Sequence, residues 1–201
     1  MKILLNKNWK LSSESEVIDA SVPGDITIDM FNAGKIKDPY VSDNYKEAER
    51  IGRKDYEYIN NFEITEEIYA FSSIKLNFKG IDIFSEIYVN GHLLGKTKNA
   101  FLKYSFEIKD FIKVGINELK VKMISTLNEM DKIDTTGYYA IFNLPRMFIR
   151  KAQCHFGWDW APKICAFGII DDVYLECKSK YQILDVQTVT DDRGNLRFQV
   201  K

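Results

Sequence analysis

Cysteine is scarce in this chain, with three among 201 residues at Cys154, Cys165 and Cys177. Three bunched thiols do not make a secreted disulfide framework. Proline is almost as scarce, at four, and no Gly/Ser-rich or Pro-rich stretch marks a linker. The charges lack a dominant sign: 28 Lys and Arg against 29 Asp and Glu give a net charge of −1. That balance leaves no electrostatic footprint for nucleic acid or for an anionic membrane. Long apolar runs are missing as well. Ile3-Leu4-Leu5 is interrupted by Asn6 and Lys7, too short for a secretory leader, and no window reaches the ~18 apolar residues of a membrane span. These absences predict a cytoplasmic setting, with neither nucleic acid nor membrane as a partner. What is present, 45% hydrophobic and 28% charged residues, suits a globular chain with a sizeable core and excludes wholesale disorder.

The hydrophobic pattern has a period of two. Ile74-Lys75-Leu76-Asn77-Phe78 and Glu118-Leu119-Lys120-Val121-Lys122-Met123 alternate strictly, as half-buried strands do. Tyr56-Glu57-Tyr58 with Phe62-Glu63-Ile64 reads as another strand, and Tyr104 to Ile108 and Val173 to Cys177 as two more. Ile87-Tyr88-Val89 runs into Asn90-Gly91, a pair suited to a hairpin turn in which both central residues need positive φ. Helices are few and short. Asp25 caps a predicted helix over Ile26 to Ala33 that Gly34 ends, and Asn44 to Arg50 forms a further turn or two. Many short strands separated by turns predict an all-β chain, an antiparallel sandwich. From Ile183 onward the pattern is two strands joined by Asp191-Asp192-Arg193-Gly194-Asn195, which reads as the truncated start of a second β module.

Chemistry-bearing residues concentrate between Arg150 and Pro162. Two of the three tryptophans, Trp158 and Trp160, flank a single carboxylate, Asp159, while Trp9 lies far away in the chain. In extended backbone the two indoles share one face and Asp159 opposes them, whereas Gly157 and Pro162 favour a loop in which all three converge. Indole faces beside a carboxylate suit a sugar, whose C–H groups stack while neighbouring hydroxyls donate to the acid. Two tryptophans buried in a sandwich core, with Asp159 capping a turn, account for the same pattern. Cys154 beside His155 does not make a nucleophilic dyad, since consecutive strand residues face opposite ways. No Cys-x₂₋₄-Cys spacing accompanies them, so no metal is assigned. Asn128-Glu129 is read as part of a polar loop from Thr126 to Thr136, and His92 as exposed after its turn.

In their order, these stretches resemble glycoside hydrolase family 2, in particular the β-mannosidase branch of its N-terminal sugar-binding domains. The similar segments are Val22-Pro23-Gly24-Asp25, Asp38-Pro39-Tyr40, Asp43-Asn44, Gly80-Ile81-Asp82, Glu86 to Gly91, Leu94-Gly95, Asn99-Ala100-Phe101 and Tyr104-Ser105-Phe106. Arg150 to Pro162 is the most branch-specific piece. The sequence departs from the pattern at Tyr56, where Trp is common, at Cys154, where an aromatic is common, and at Ala161, where Gly is usual.

The resemblance implies a galactose-binding-domain-like jelly roll over residues 1–180 and the start of an immunoglobulin-like sandwich over 181–201. It implies the N-terminal part of a retaining exo-glycosidase acting on a β-mannoside-like substrate without a cofactor. Both catalytic glutamates of such enzymes come from a (β/α)₈ barrel, so this chain is expected to be inactive alone and to have the barrel as its intramolecular partner. Carried over by position, Asp159 hydrogen-bonds sugar hydroxyls, Trp158 and Trp160 shape that wall, and Asn99 lies near it. A free-standing carbohydrate-binding module, or a β-galactosidase or β-glucuronidase activity, is the alternative reading.

Overall fold

Alternation in the sequence becomes alternation in burial. The computed structural model describes residues 1–13, 16–141, 143–181, 183 and 185–201. Strands β1 (Lys2–Leu4), β2 (Trp9–Ser12) and β3 (Val17–Ala20) precede helices α1 (Ile26–Asn32) and α2 (Tyr45–Ile51). Strand β4 (Tyr56–Ile64), helix α3 (Glu66–Tyr69), and strands β5 (Ser73–Phe78), β6 (Phe84–Val89), β7 (His92–Lys98), β8 (Tyr104–Glu107) and β9 (Gly115–Met123) follow. Helix α4 (Thr126–Asp131) then leads through a long stretch to β10 (Val173–Lys178), β11 (Val186–Thr190) and β12 (Leu196–Val200).

The strands form a six-stranded sheet, β3-β2-β4-β9-β6-β7, and a four-stranded sheet, β1-β10-β5-β8, with every pairing antiparallel. The long central pair sets the register, running from Tyr56 opposite Met123 to Ile64 opposite Gly115. Tyr58, Phe62, Leu119 and Val121 from one sheet meet Ile74, Leu76, Val173 and Leu175 from the other in a single core. Each such side chain contributes about 1.5–3 kcal/mol on leaving water. Trp9 is buried there and donates its indole N–H to the Leu5 carbonyl at 2.6 Å. The architecture is the antiparallel sandwich with few helices that the periodicity predicts. Asn90 and Gly91 turn the β6–β7 hairpin with φ of 49° and 81°, a pairing that glycine makes easy at its second position.

The predicted first helix forms as expected. Asp25 accepts from the Thr27 and Ile28 N–H groups at 2.8 and 3.1 Å, and Gly34 follows its end at a φ of 66°. The stretch after β9 corrects the sequence reading. Thr126–Asp131 is a helix, not part of a polar loop, because Ser125 caps it and Leu127 and Met130 share a buried face. Glu129 pairs with Lys132 on its outer side.

One buried carboxylate on α1 ties stability to pH. Asp29 is 1% exposed and accepts from Ser21 N–H at 2.8 Å and from the Tyr58 hydroxyl at 3.0 Å. Burial nevertheless pushes its carboxyl from 3.8 up to about 6. The folded state therefore holds a proton that the unfolded chain releases earlier. Stability from this group is complete below the unfolded value and is lost as pH rises through the folded one. Asp29→Asn keeps an acceptor for Ser21 without the charge. The variant is expected to gain melting temperature over the parent between about pH 4 and about pH 7. Thermal melts of both proteins across that range check it, and a difference that does not change with pH would remove Asp29 as the cause.

Candidate functional site

Between α4 and β10 the chain leaves the sheets for a long excursion, and the predicted site residues ride on it. Its two short 3₁₀ turns, Pro145–Phe148 and Gln153–Phe156, pack on a small second core of Ile83, Leu127, Met130, Ile149, Phe156 and Cys165. Gln153 gathers the carbonyls of Arg146, Ile149 and Lys151 on its amide nitrogen at 3.1 to 3.3 Å. Cys154 and His155 lie on the second 3₁₀ turn, not on a strand as the dyad argument assumed. Burial lifts the Cys165 thiol to about 11, which makes it inert at neutral pH.

The excursion is closed at its base by a buried cation. Lys151 is 1% exposed, and its ammonium hydrogen-bonds the Asp82 carboxylate and the Ala166 carbonyl. Asp82 in turn exchanges both backbone hydrogen bonds with Gly168 at 2.9 Å. One ammonium thus holds together residues 151 and 166, which bracket the second 3₁₀ turn and the tryptophan turn, and the β5–β6 connection beneath them. His155 Nδ1 lies 3.9 Å from Asp82 Oδ2, buried and without a hydrogen-bond partner among the described residues. Burial, and after it the Lys151 charge, hold the imidazole below its usual pKa.

At the outer end the chain reverses over four residues. Trp158 N–H donates to the Ala161 carbonyl at 3.1 Å, and Ala161 N–H returns to Trp158 at 3.4 Å. Gly157 enters the turn at a φ of 92°, a left-handed conformation that a residue with a Cβ resists. Asp159 and Trp160 therefore occupy the tip. Trp158 is 45% exposed and Trp160 71%, with Asp159 exposed between them. The buried-core account of the two tryptophans is thereby overturned: the turn carries them out of the sandwich. Beside the turn lies a cavity of about 620 Å³, lined by Tyr45, Arg146, Phe156, Trp158, Asp159 and Lys163 among others. Lys163 is paired there with Glu49 at 2.7 Å.

Asn99 is placed elsewhere. It follows β7, its side-chain oxygen accepts from Phe101 N–H at 2.9 Å, and it does not line that cavity. Its loop is nonetheless tied to the excursion, since Ala100 N–H donates to the Arg150 carbonyl at 2.9 Å. A second open groove, about 720 Å³, runs past Arg53, Lys54, Glu57 and Lys122. Arg53 and Glu57 are engaged there by Asp131 and Lys120 at 2.6 and 3.2 Å. With no exposed indole in it, that groove lacks the stacking surface of the first. Sequence reasoning missed Arg146 and Lys151, two cations that look solvated in the sequence and are buried in the fold.

The chain matches the family described as glycosyl hydrolase 2 galactose-binding domain-like over residues 9–171. The β-mannosidase of Bos taurus is 34% identical over 189 residues, covering 88% of this chain and 21% of that protein. β-Mannosidase A of Emericella nidulans is 28% identical over 207 residues, covering 96% and 22%. The chain spans about a fifth of the length of these curated relatives. Among solved structures, a β-D-mannosidase from Dictyoglomus thermophilum matches with a TM-score of 0.87 and 35% identity, over 94% of this chain and 24% of that one. An exo-chitosanase from Amycolatopsis orientalis shares the fold, with a TM-score of 0.66 at 14% identity, over 100% and 24% of the two chains.

Proposed function

Because the chain belongs to the galactose-binding-domain-like family of glycosyl hydrolase 2, we propose that it is the N-terminal domain of a retaining exo-β-mannosidase. The observation that carries the reading is the Trp158-Asp159-Trp160 turn, held out to solvent beside a sugar-sized cavity. In this reading the Asp159 carboxylate accepts hydrogen bonds from adjacent hydroxyls of the terminal sugar. The indoles of Trp158 and Trp160 supply the wall against which its C–H groups pack. Asn99, which does not line the cavity, acts at most through its loop, which Ala100 fixes to Arg150.

The acid/base and nucleophile glutamates come from the catalytic barrel, the partner of this domain within the enzyme. Exposed aromatic and aliphatic side chains at Tyr138, Tyr139, Ile141 and Met147 support a face that the barrel covers. Residues 181–201 begin an immunoglobulin-like domain in the same reading. Their hairpin of β11 and β12 exposes Val186, Val189, Leu196, Phe198 and Val200, as an unpartnered sandwich sheet would. Among the described residues no helix is long and apolar enough to cross a membrane. Three free thiols fit the cytoplasmic setting.

The test is hydrolysis of p-nitrophenyl glycosides by the full-length enzyme and by this chain. The expected result is turnover of the β-mannoside at least about tenfold more efficient than that of the β-galactoside or β-glucuronide. This chain alone is expected to turn over none of them. Preference for another sugar would overturn the substrate, and turnover by the isolated chain would overturn the division of labour between the domains.

A further inference from the structure

We propose that Arg146 is a positioning residue that sets the angle of the Trp158–Ala161 turn, and so aims Asp159 at the sugar. Arg146 belongs to the first 3₁₀ turn of the excursion and is 8% exposed despite its charge. Its guanidinium donates to the Gly157 carbonyl at 3.1 Å. The same group lies over the Trp158 ring, 4.8 Å from its centroid. It therefore grips the turn at two adjacent places, the pivot and the first indole.

Both grips matter because of what they hold. Gly157, with its φ of 92°, is the point about which the turn would otherwise swing, since glycine resists rotation less than any other residue. Fixing its carbonyl fixes the direction in which the next three residues leave. Covering one face of Trp158 restricts the rotamer of the ring. The backbone of Arg146 is itself anchored, its carbonyl accepting from Gln153 at 3.1 Å. Arginine suits the place and lysine does not. Its planar, weakly hydrated guanidinium stacks on an indole and donates in a fixed fork, whereas an ammonium is a strongly hydrated point charge.

The inference rests on the proposal that Asp159 touches sugar, so its test has one arm that depends on that proposal and one that does not. In the full-length enzyme, Arg146→Gln is expected to lower kcat/KM by about tenfold when Asp159 is present and by less than about twofold in an Asp159→Ala background. Equal losses in both backgrounds would overturn a role exerted through Asp159. Arg146→Lys keeps the charge without the fork and is expected to behave like Gln, so full activity in Arg146→Lys would overturn the positioning role.

The independent arm is amide hydrogen exchange in this chain. Arg146→Gln is expected to speed exchange at Trp158 and Ala161 by about tenfold or more, with the amides of β4 and β9 unchanged. Unchanged protection at Trp158 and Ala161 would overturn the proposal whatever the kinetics. If Asp159→Ala alone leaves kinetics untouched, the sugar-contact reading fails by itself, and exchange still decides whether Arg146 holds the turn.

Discussion

Asp159→Ala in the full-length enzyme is expected to lower kcat/KM by roughly ten- to a hundredfold while the melting temperature stays unchanged. The carboxylate is exposed at the tip of its turn, so the fold of this domain does not lean on it. In the proposed reading its contribution lies in the completed pocket, where a barrel would close over the sugar and exclude water. Removing one partner there leaves sugar hydroxyls unpaired at a cost of about 1–3 kcal/mol, and each 1.4 kcal/mol is about a factor of ten. Asp159→Asn retains one acceptor oxygen and is expected to lose less. Steady-state kinetics on p-nitrophenyl β-mannoside, with melting curves beside them, read the prediction directly. Unaltered kinetics in Asp159→Ala would take the residue out of the sugar site.

The largest stability effect is expected at Lys151. Lys151→Met leaves the Asp82 carboxylate buried without its cation, and breaking such a pair from one side costs about 3–5 kcal/mol. For a chain of this length the loss amounts to a fall on the order of 10 °C in melting temperature. Removing both charges is a different experiment. Lys151→Met with Asp82→Leu puts apolar groups where two ions stood, and the double variant is expected to recover most of the loss. Denaturant titration of the parent and both variants separates the cases. Equal losses in the single and double variants would assign the effect to packing and not to the orphaned charge.

Most of the sandwich was legible because its strands are half-buried. A strand with one wet face writes its burial into the sequence as alternation: β5 keeps it from end to end, β9 from Glu118 to Met123, and β4 but for the buried Asn60. The cap at Asp25 and the turn at Asn90-Gly91 were legible for a local reason, since their chemistry is complete within a few residues. Helix α4 was missed because six residues with two inward apolar side chains carry too little period to stand out. Leu127 and Met130, three apart behind Ser125, were the signal available. The aromatic–acid–aromatic triplet was visible as a motif, but its exposure was not. Exposure depends on a reversal that Gly157 permits and that the Trp158–Ala161 pairing completes. Lys151 and Arg146 were illegible as site residues. Their partners are Asp82, 69 residues away, and the backbone and ring of a turn whose shape had first to exist.

Strand β10 lies between β1 and β5, and the Met1 amino group donates to the Cys177 carbonyl at 2.8 Å. These neighbours are far apart in the order of synthesis: β1 is made roughly 170 residues before its partner. At about 5–20 residues per second that interval is on the order of 10–30 s. For the last roughly 100 residues of that interval β5 presents an edge without its β10 partner, with Ile74, Leu76 and Phe78 behind it, and unpaired edges of that kind recruit other chains. Closing the four-stranded sheet therefore waits until the strands of the six-stranded sheet have all been made. Until β10 is made, the four-stranded sheet lacks the strand that joins β1 to β5.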